Sequence, residues 1–319
     1  MEKNAKIYIA GHRGLVGSAI WRKLVADGYT GMIGRSHCEL DLRDAAQVRA
    51  FFEQEKPEYV FLAAGHVGGI QANINSPAEF LYDNITMQVN VIHQAYLSGV
   101  KKILILGSSC IYPTQCPQPM KEEYLMDGKL EPTNEGYALS KIVALRMGAY
   151  YKRQYGFNAI SVMPPNLYGY NDCLDPLKSH VLSATVRKFV DAVDNGDEVV
   201  TMWGTGKARR EFMNADDMAA ACVYMMLHYE GEEFINIGWG TDVTIRELAE
   251  MVAKATGFKG RIEWDSTKPD GMMRKCLDVT RMKESGFEPT ITLEQGIKEM
   301  ITYYRNKKHE NSINEKCVS

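Results

Sequence analysis

The chain has 319 residues, room for about two domains of roughly 150 residues each, and 45% hydrophobic with 24% charged residues describes a globular protein with its own core, not a disordered one. Lysine plus arginine total 37 against 40 aspartates and glutamates, a net charge of -3 that excludes a dedicated nucleic-acid binder or a polybasic membrane binder, whose affinity comes from basic excess. No run approaches the roughly 18 apolar residues of a membrane helix, and the first six residues lead into an apolar strand without a signal-peptide core.

That strand is Ile7–Ala10, followed at once by Gly11, Gly14 and Gly17 and a helical stretch from Ser18 to Leu24. The G-x-x-G-x-x-G spacing lets the backbone turn tightly and approach a pyrophosphate at the helix N-terminus, where free N–H groups and the dipole favour an anion. The plain alternative is a turn. At the end of the second strand an acid would take a ribose 2′-OH, whereas arginine accommodates a 2′-phosphate. Arg13 lies in the glycine turn and Gly34-Arg35-Ser36-His37 follows the second strand, with no acid before Glu39. NADP(H) is therefore the expected cofactor, unless Arg35 is only a solvated surface residue.

Tyr59–Ala63, Ile103–Leu106 and Ala159–Met163 are further short apolar strands separated by helical sequence. The alternation predicts βαβ units and an α/β, doubly wound parallel sheet. Beyond about residue 165 the rhythm changes, with helical stretches near 180–195, 215–228, 244–256 and 292–307 and short strands such as Phe234–Ile237. The expected domains are 1–165 for the cofactor and 166–319 mainly for substrate, packed closely because no Pro/Ser-rich linker divides them, with some chain crossing back. From Lys308 the sequence is polar and a frayed tail is expected. The seven cysteines are scattered without a CxxC pair, so they read as reduced thiols of a cytoplasmic protein, with no metal site.

Tyr137-Ala138-Leu139-Ser140-Lys141 places a phenol and an ammonium four residues apart, on one face of a helix. A nearby cation lowers a tyrosine pKa and suits it to exchange a proton with a carbonyl. The pair gains weight from Gly107-Ser108-Ser109-Cys110-Ile111-Tyr112-Pro113 after the fourth strand, because carboxyl ends of central strands face the cofactor crevice. A serine, a tyrosine and a lysine around a nicotinamide make a hydride-transfer site.

The glycine turn, the strand-end serine and Tyr-x-x-x-Lys together resemble the extended short-chain dehydrogenase/reductase family of nucleotide-sugar enzymes. Further stretches carry the resemblance in family order, among them Val67–Ile70, Leu130–Glu135, Asn166–Gly169, Arg210–Phe212, Asp216–Ala220, Thr244–Leu248 and Lys268–Gly271. The resemblance implies a Rossmann-type doubly wound sheet with a smaller mixed α/β substrate domain, and a homodimer packed through helices of the cofactor domain. It implies NADPH-dependent conversion of GDP-4-keto-6-deoxy-D-mannose to GDP-L-fucose, by epimerisation at C3 and C5 and then reduction at C4. The 4-keto group acidifies the C3 and C5 protons, and inversion needs a base and an acid in reach. Cys110 is implied as base and His180 as acid, the plain alternatives being a buried apolar cysteine and a helix N-terminal histidine. Tyr137 is the implied proton donor, Lys141 lowers its pKa and holds the cofactor ribose, and Ser108 orients the carbonyl.

The resemblance implies a cofactor site lined by Gly11, His12, Arg13, Gly14, Leu15, Val16 and Gly17, then Arg35, His37, Asp41 and Leu42. Ala63, Ala64, Leu106, Gly107, Ser108 and Ser109 continue it, with Tyr137, Lys141, Pro164, Pro165, Asn166, Leu167 and His180. Lys188 and Arg210 are implied to face the nucleotide, with Trp203, Asp270 and Lys275 as further substrate contacts, each otherwise a solvated surface residue. The sequence departs from the family pattern at Lys188 and His37, where arginines are usual, at His66 in place of a lysine, and at Pro165 and Tyr170 beside Asn166–Gly169. A relative acting on another GDP-4-keto sugar, a 6-deoxyheptose or the colitose precursor, is the enzymatic alternative. A non-catalytic cofactor-binding protein would lose catalytic residues, and Ser108, Tyr137 and Lys141 are all present.

Overall fold

The computed structural model describes residues 1–175 and 179–318, with side chains through residue 310. The first half runs β1 (Ile7–Ala10), α1 (Leu15–Ala26), β2 (Met32–Ile33), α2 (Ala45–Glu55), β3 (Tyr59–Leu62), α3 (Ile70–Asn75), α4 (Pro77–Leu97), β4 (Lys102–Leu106), α5 (Glu135–Tyr155) and β5 (Ala159–Met163). Then follow β6 (Asn166–Tyr168), α6 (Val181–Asn195), β7 (Val199–Trp203), β8 (Arg209–Arg210), β9 (Phe212–Asn214), α7 (Ala215–His228) and β10 (Ile235–Asn236). The chain closes with β11 (Val243–Thr244), α8 (Ile245–Thr256), β12 (Arg261–Asp265), β13 (Arg274–Lys275), α9 (Thr280–Glu284) and α10 (Leu293–Val318).

Six strands form a parallel, Rossmann-type sheet in the order β2-β1-β3-β4-β5-β10. Successive residues of each strand feed opposite layers. Ile7 and Ile9 join a cluster with α1 and α7, whereas Tyr8 and Ala10 join one with α2 and α4. Both faces are dry, which is why the strands read as unbroken apolar runs instead of alternating ones. Lys102 opens β4 inside this packing, and its ammonium escapes to Tyr229 O at 2.6 Å and Glu230 at 2.8 Å. The chain goes out to β2 on one side of β1 and returns to β3 on the other, so the carboxyl ends of β1 and β3 flank the switch-point crevice.

A third apolar cluster is built only from residues after 166, including Phe189 and Val190 of α6, Leu248 and Val252 of α8, and Ile297 and Met300 of α10. The α8 start is pinned by reciprocal bonds between Thr244 and Glu247, a capping box that satisfies two orphan N–H groups. Helix α10 runs to Val318, and Lys308 ties it to α6 by bonding Asp191 and Asp194 at 2.9 and 2.7 Å. In the small sheet β11-β8-β13, Lys275 registers opposite Arg210. Among the described residues, no helix is long and apolar enough to cross a membrane.

Candidate active site

The glycine turn occupies the switch point. Gly11 has φ +84°, and a methyl there would lie 2.8 Å from the Ala64 backbone; a methyl at Gly17 would lie 2.1 Å from Gly11 O. Both positions exclude a side chain, the first because the turn closes on the end of β3 and the second because α1 packs on the turn itself. Gly14 differs, since its methyl would meet Gly11 O at 3.4 Å, an ordinary contact. It is the N-cap of α1 and makes no side-chain cap bond, which leaves the first N–H groups of α1, from Leu15, Val16 and Gly17, available to an anion. His12 lies 5.8 Å from the Trp21 ring, its Nδ1 buried without a partner and its pKa lowered by burial. The methyl-free turn, the uncapped helix and the unpaired ring nitrogen fit a dinucleotide.

Beyond the turn the arginines are less free than the sequence suggests. Arg35 bonds Glu55 at 2.7 Å and Gly34 O at 2.9 Å, so a carboxylate does compete for it; α2 brings Glu55 back across 20 residues of chain. Glu39 turns onto Ser36, accepting from its N–H at 2.7 Å and its hydroxyl at 2.5 Å. His37 lies 3.7 Å from Asp41, and the Arg43 hydrogen bonds hold the Asp41 carboxyl at about 2. Leu42 is buried. On the other rim Ala63 N–H donates to Ala10 O at 3.0 Å.

At the end of β4 the chain reaches Leu106 and Gly107, where a methyl would sit 2.1 Å from Met163 Sδ. Ser108 Oγ accepts from Cys110 N–H at 3.2 Å and starts a short turn, and Ser109 N–H reaches Pro164 O at 3.1 Å, tying that turn to the Pro164–Pro165 exit of β5. Asn166 donates through Nδ2 to Glu211 O at 2.8 Å, and the neighbouring Leu167 packs against the first apolar cluster. Cys110 Sγ takes two donors, Lys275 Nζ and Asn134 Nδ2, both at 3.4 Å. Burial opposes ionisation of this thiol, but the Lys275 charge, the Ser108 and Lys275 hydrogen bonds and the Lys141 charge together lower its pKa.

Tyr137 and Lys141 share one face of α5, the ammonium 5.7 Å from the ring centroid. Burial raises the Tyr137 pKa, the Cys110 charge raises it further, and the Ser108 hydrogen bond offsets only part. The expected lowering by Lys141 is absent, because the ammonium donates to Leu106 O at 2.9 Å and burial lowers its own pKa to about 8. A methyl at Gly65 would lie 3.7 Å from Lys141 Nζ, so the ammonium faces the segment after β3, across the crevice.

His180 belongs to a second cluster. It precedes α6 without capping it, and Nδ1 meets Asp172 Oδ1 at 2.8 Å. The hydrogen bond to Asp172 raises the His180 pKa against burial. Asp172 is itself buried and also accepts from Ser183 Oγ and from Cys173 N–H. Because a carboxylate only accepts, Nδ1 carries the proton, and among the described residues Nε2 has no hydrogen-bond partner.

On the far side Arg210 Nη2 donates to Asp270 O at 3.1 Å, while the Asp270 carboxylate accepts from Thr205 N–H and Oγ1 at 2.8 and 2.7 Å. Asp270 thus shapes the turn that presents Arg210. Trp203 is 61% exposed and has two ammonium groups near its ring, Lys188 at 5.9 Å and Lys268 at 5.6 Å from the centroid, with Lys188 also donating to Thr201 O at 2.8 Å.

A family model for the NAD dependent epimerase/dehydratase family matches residues 7–238. The chain belongs to that family. It is 52% identical over 303 residues to GDP-L-fucose synthase 1 of Arabidopsis thaliana, covering 95% of this chain and 94% of the relative. It is 46% identical to the GDP-L-fucose synthase of Escherichia coli (strain K12), covering 92% and 94%. Among solved structures, a GDP-mannoheptose C4 reductase from Campylobacter jejuni with NADP bound is similar at a TM-score of 0.88 and 37% identity, over 96% of this chain and 99% of that one.

On this epimerase/dehydratase scaffold four residues stand in the site that sequence reading passed over. Asp172 grips His180, Asn134 donates to Cys110, Arg43 holds Asp41, and Lys268 flanks Trp203. Asn134 and Lys268 lay within stretches that carried the family resemblance, so a signal existed for them. Asn134 Oδ1 is buried without a partner, an acceptor beside the thiol.

Proposed function

We propose that this family member converts GDP-4-keto-6-deoxy-D-mannose to GDP-L-fucose, inverting C3 and C5 and then reducing C4 with NADPH. The thiol cluster carries the reading. Ser108, Tyr137 and Lys141 suffice for a reductase, whereas a thiol of lowered pKa beside Ser108 adds a base. Cys110 removes the C3 or C5 proton, the C–H electron pair moves toward the C4 carbonyl to give an enolate, and His180 returns a proton on the opposite face. NADPH supplies the hydride for C4. Tyr137, kept as a phenol by burial, then gives its proton to the C4 oxygen, with Ser108 orienting that oxygen and Lys141 holding the ribose.

Gly11–Gly17 with α1 takes the pyrophosphate, and Arg13, Arg35 and His37 take the 2′-phosphate, Arg35 by exchanging Glu55 for it. Arg210 meets the GDP diphosphate, and the guanine stacks on exposed Trp203 beside Lys188 and Lys268, which support it by cation–π contact. Residues 1–165 form the cofactor domain and 166–319 mainly the substrate domain, consistent with the separate apolar cluster after residue 166. The exposed Tyr82, Leu97, Leu139, Val143, Tyr150 and Tyr155 of α4 and α5 are the surface of a homodimer. The enzyme works in the cytoplasm, where exposed thiols such as Cys38 and Cys173 stay reduced.

Incubation with NADPH and GDP-4-keto-6-deoxy-D-mannose, followed by identification of the sugar, tests the reading. GDP-L-fucose is expected. Turnover of a GDP-4-keto-heptose with no turnover of the hexose would overturn the substrate and leave the chemistry, the outcome to which the likeness to the heptose reductase points.

A further inference from the structure

The family resemblance implies Lys275 only as a substrate contact, yet its ammonium stands at the thiol. Lys275 Nζ lies 3.4 Å from Cys110 Sγ, and among the described residues no carboxylate forms a salt bridge with it. The other charged groups facing the sulfur are committed elsewhere. Lys141 of α5 donates to Leu106 O at 2.9 Å, and Arg210 of β8 donates to Arg209 O and Asp270 O at 2.8 and 3.1 Å. Tyr137 of α5 faces the thiol as a neutral phenol, and Asn134 supplies a neutral donor at 3.4 Å. Among the described residues, Lys275 is the one charged group that hydrogen-bonds the sulfur.

Its backbone is held for this. Glu211 N–H donates to Lys275 O at 3.1 Å and β13 registers on β8, so the substrate-side sheet delivers the cation to a thiol that follows β4 of the large sheet. The same protein supplies the contrast. Cys222, buried without a cation, is pushed up, and burial pushes Cys276 to about 12, whereas Cys110 is lowered despite its burial.

We infer that Lys275 is the positioning counter-cation of Cys110, holding the sulfur as a thiolate between turnovers, and not primarily a contact for the nucleotide. The base role rests on the function proposed above. When the thiolate takes the C3 or C5 proton, an S–H bond replaces the C–H bond and the negative charge passes to the enolate oxygen. The ammonium keeps its proton and stays in the pocket, so its charge is offset by sulfur before the step and by enolate after it.

The test is the pH dependence of iodoacetamide alkylation at Cys110, read by peptide mass mapping on the full chain without substrate. In the unaltered protein Cys110 should reach half-maximal reactivity below the ordinary thiol value of about 8.5 and at lower pH than Cys116, whose thiol burial pushes up. Lys275→Gln should move the Cys110 midpoint up by about one pH unit or more, the effect of losing an opposite charge at this range, and Lys275→Arg should restore it. An unshifted midpoint in Lys275→Gln accompanied by a raised KM for the GDP-sugar would overturn the proposal and return Lys275 to substrate binding. If Lys275→Gln does not fold, a Cys110 midpoint no lower than that of Cys116 in the unaltered protein overturns it equally. Because no substrate is present, a shifted midpoint without GDP-L-fucose formation would instead defeat the functional reading alone.

Discussion

Replacing Gly17 by alanine separates what the glycine turn does for the fold from what it does for the cofactor. The added methyl would sit 2.1 Å from Gly11 O and 2.6 Å from Gly11 C, against 3.4 Å at which ordinary contact begins, and the obstructing atoms are backbone. Turn and helix must part by roughly an ångström, an overpacking cost of about 1–3 kcal/mol. That corresponds to a melting temperature lower by about 1.5–5 °C, together with weaker NADPH binding, because the N–H groups of α1 no longer align with the turn. Gly14→Ala is the control. Its methyl meets only Gly11 O at 3.4 Å, so the fold should melt at the wild-type temperature while NADPH binding weakens, since Gly14 borders the α1 N-terminus. Thermal denaturation with and without NADPH, and a fluorescence titration of the cofactor, measure both. Wild-type melting of Gly17→Ala, or unimpaired NADPH binding by Gly14→Ala, would refute this division.

Tyr137→Phe removes the proton donor and keeps the ring, so steady-state NADPH oxidation should fall by about 10²–10⁴ with little change in substrate binding; near-normal turnover would show that another group protonates the C4 oxygen. Cys110→Ser replaces a thiol of lowered pKa by a far weaker acid, so deuterium wash-in at C3 and C5 in D₂O should vanish while slow NADPH oxidation persists, and the opposite pattern would reverse the division of roles. Asp172 raises the His180 pKa above 6.5, so this ion pair stabilises the fold fully below pH 6.5 and less as pH rises through the raised value. Asp172→Asn should flatten that part of the stability profile and move the alkaline limb of epimerisation to lower pH, and unchanged profiles would show that His180 titrates independently of Asp172. Arg35→Ala should weaken NADPH binding by about 10–100-fold while leaving NADH unchanged, the loss of one charged hydrogen bond to phosphate of about 1.5–3 kcal/mol; equal losses for both cofactors would place Arg35 outside the 2′-phosphate site.

The sequence alone determined what depends on near neighbours along the chain. Apolar runs such as Ile7–Ala10 and Ala159–Met163 announce strands buried on both faces, and the glycine spacing places a tight turn before α1. Tyr137 and Lys141 share a face because four residues make about one helical turn. Only the tertiary structure decided which groups touch across long stretches of chain. Lys275 reaches Cys110 from 165 residues away, Glu55 returns to Arg35, and Ile235–Asn236 adds an edge strand to a sheet begun in the first half. The ionisation of the site belongs to the same class. Four-residue spacing suggested that Lys141 would lower the Tyr137 pKa, yet burial raises it and the nearby cation lowers Cys110 instead. Helical periodicity is a local property, whereas a pKa sums desolvation and every charge that the fold brings near, and neither is written in the spacing of two residues.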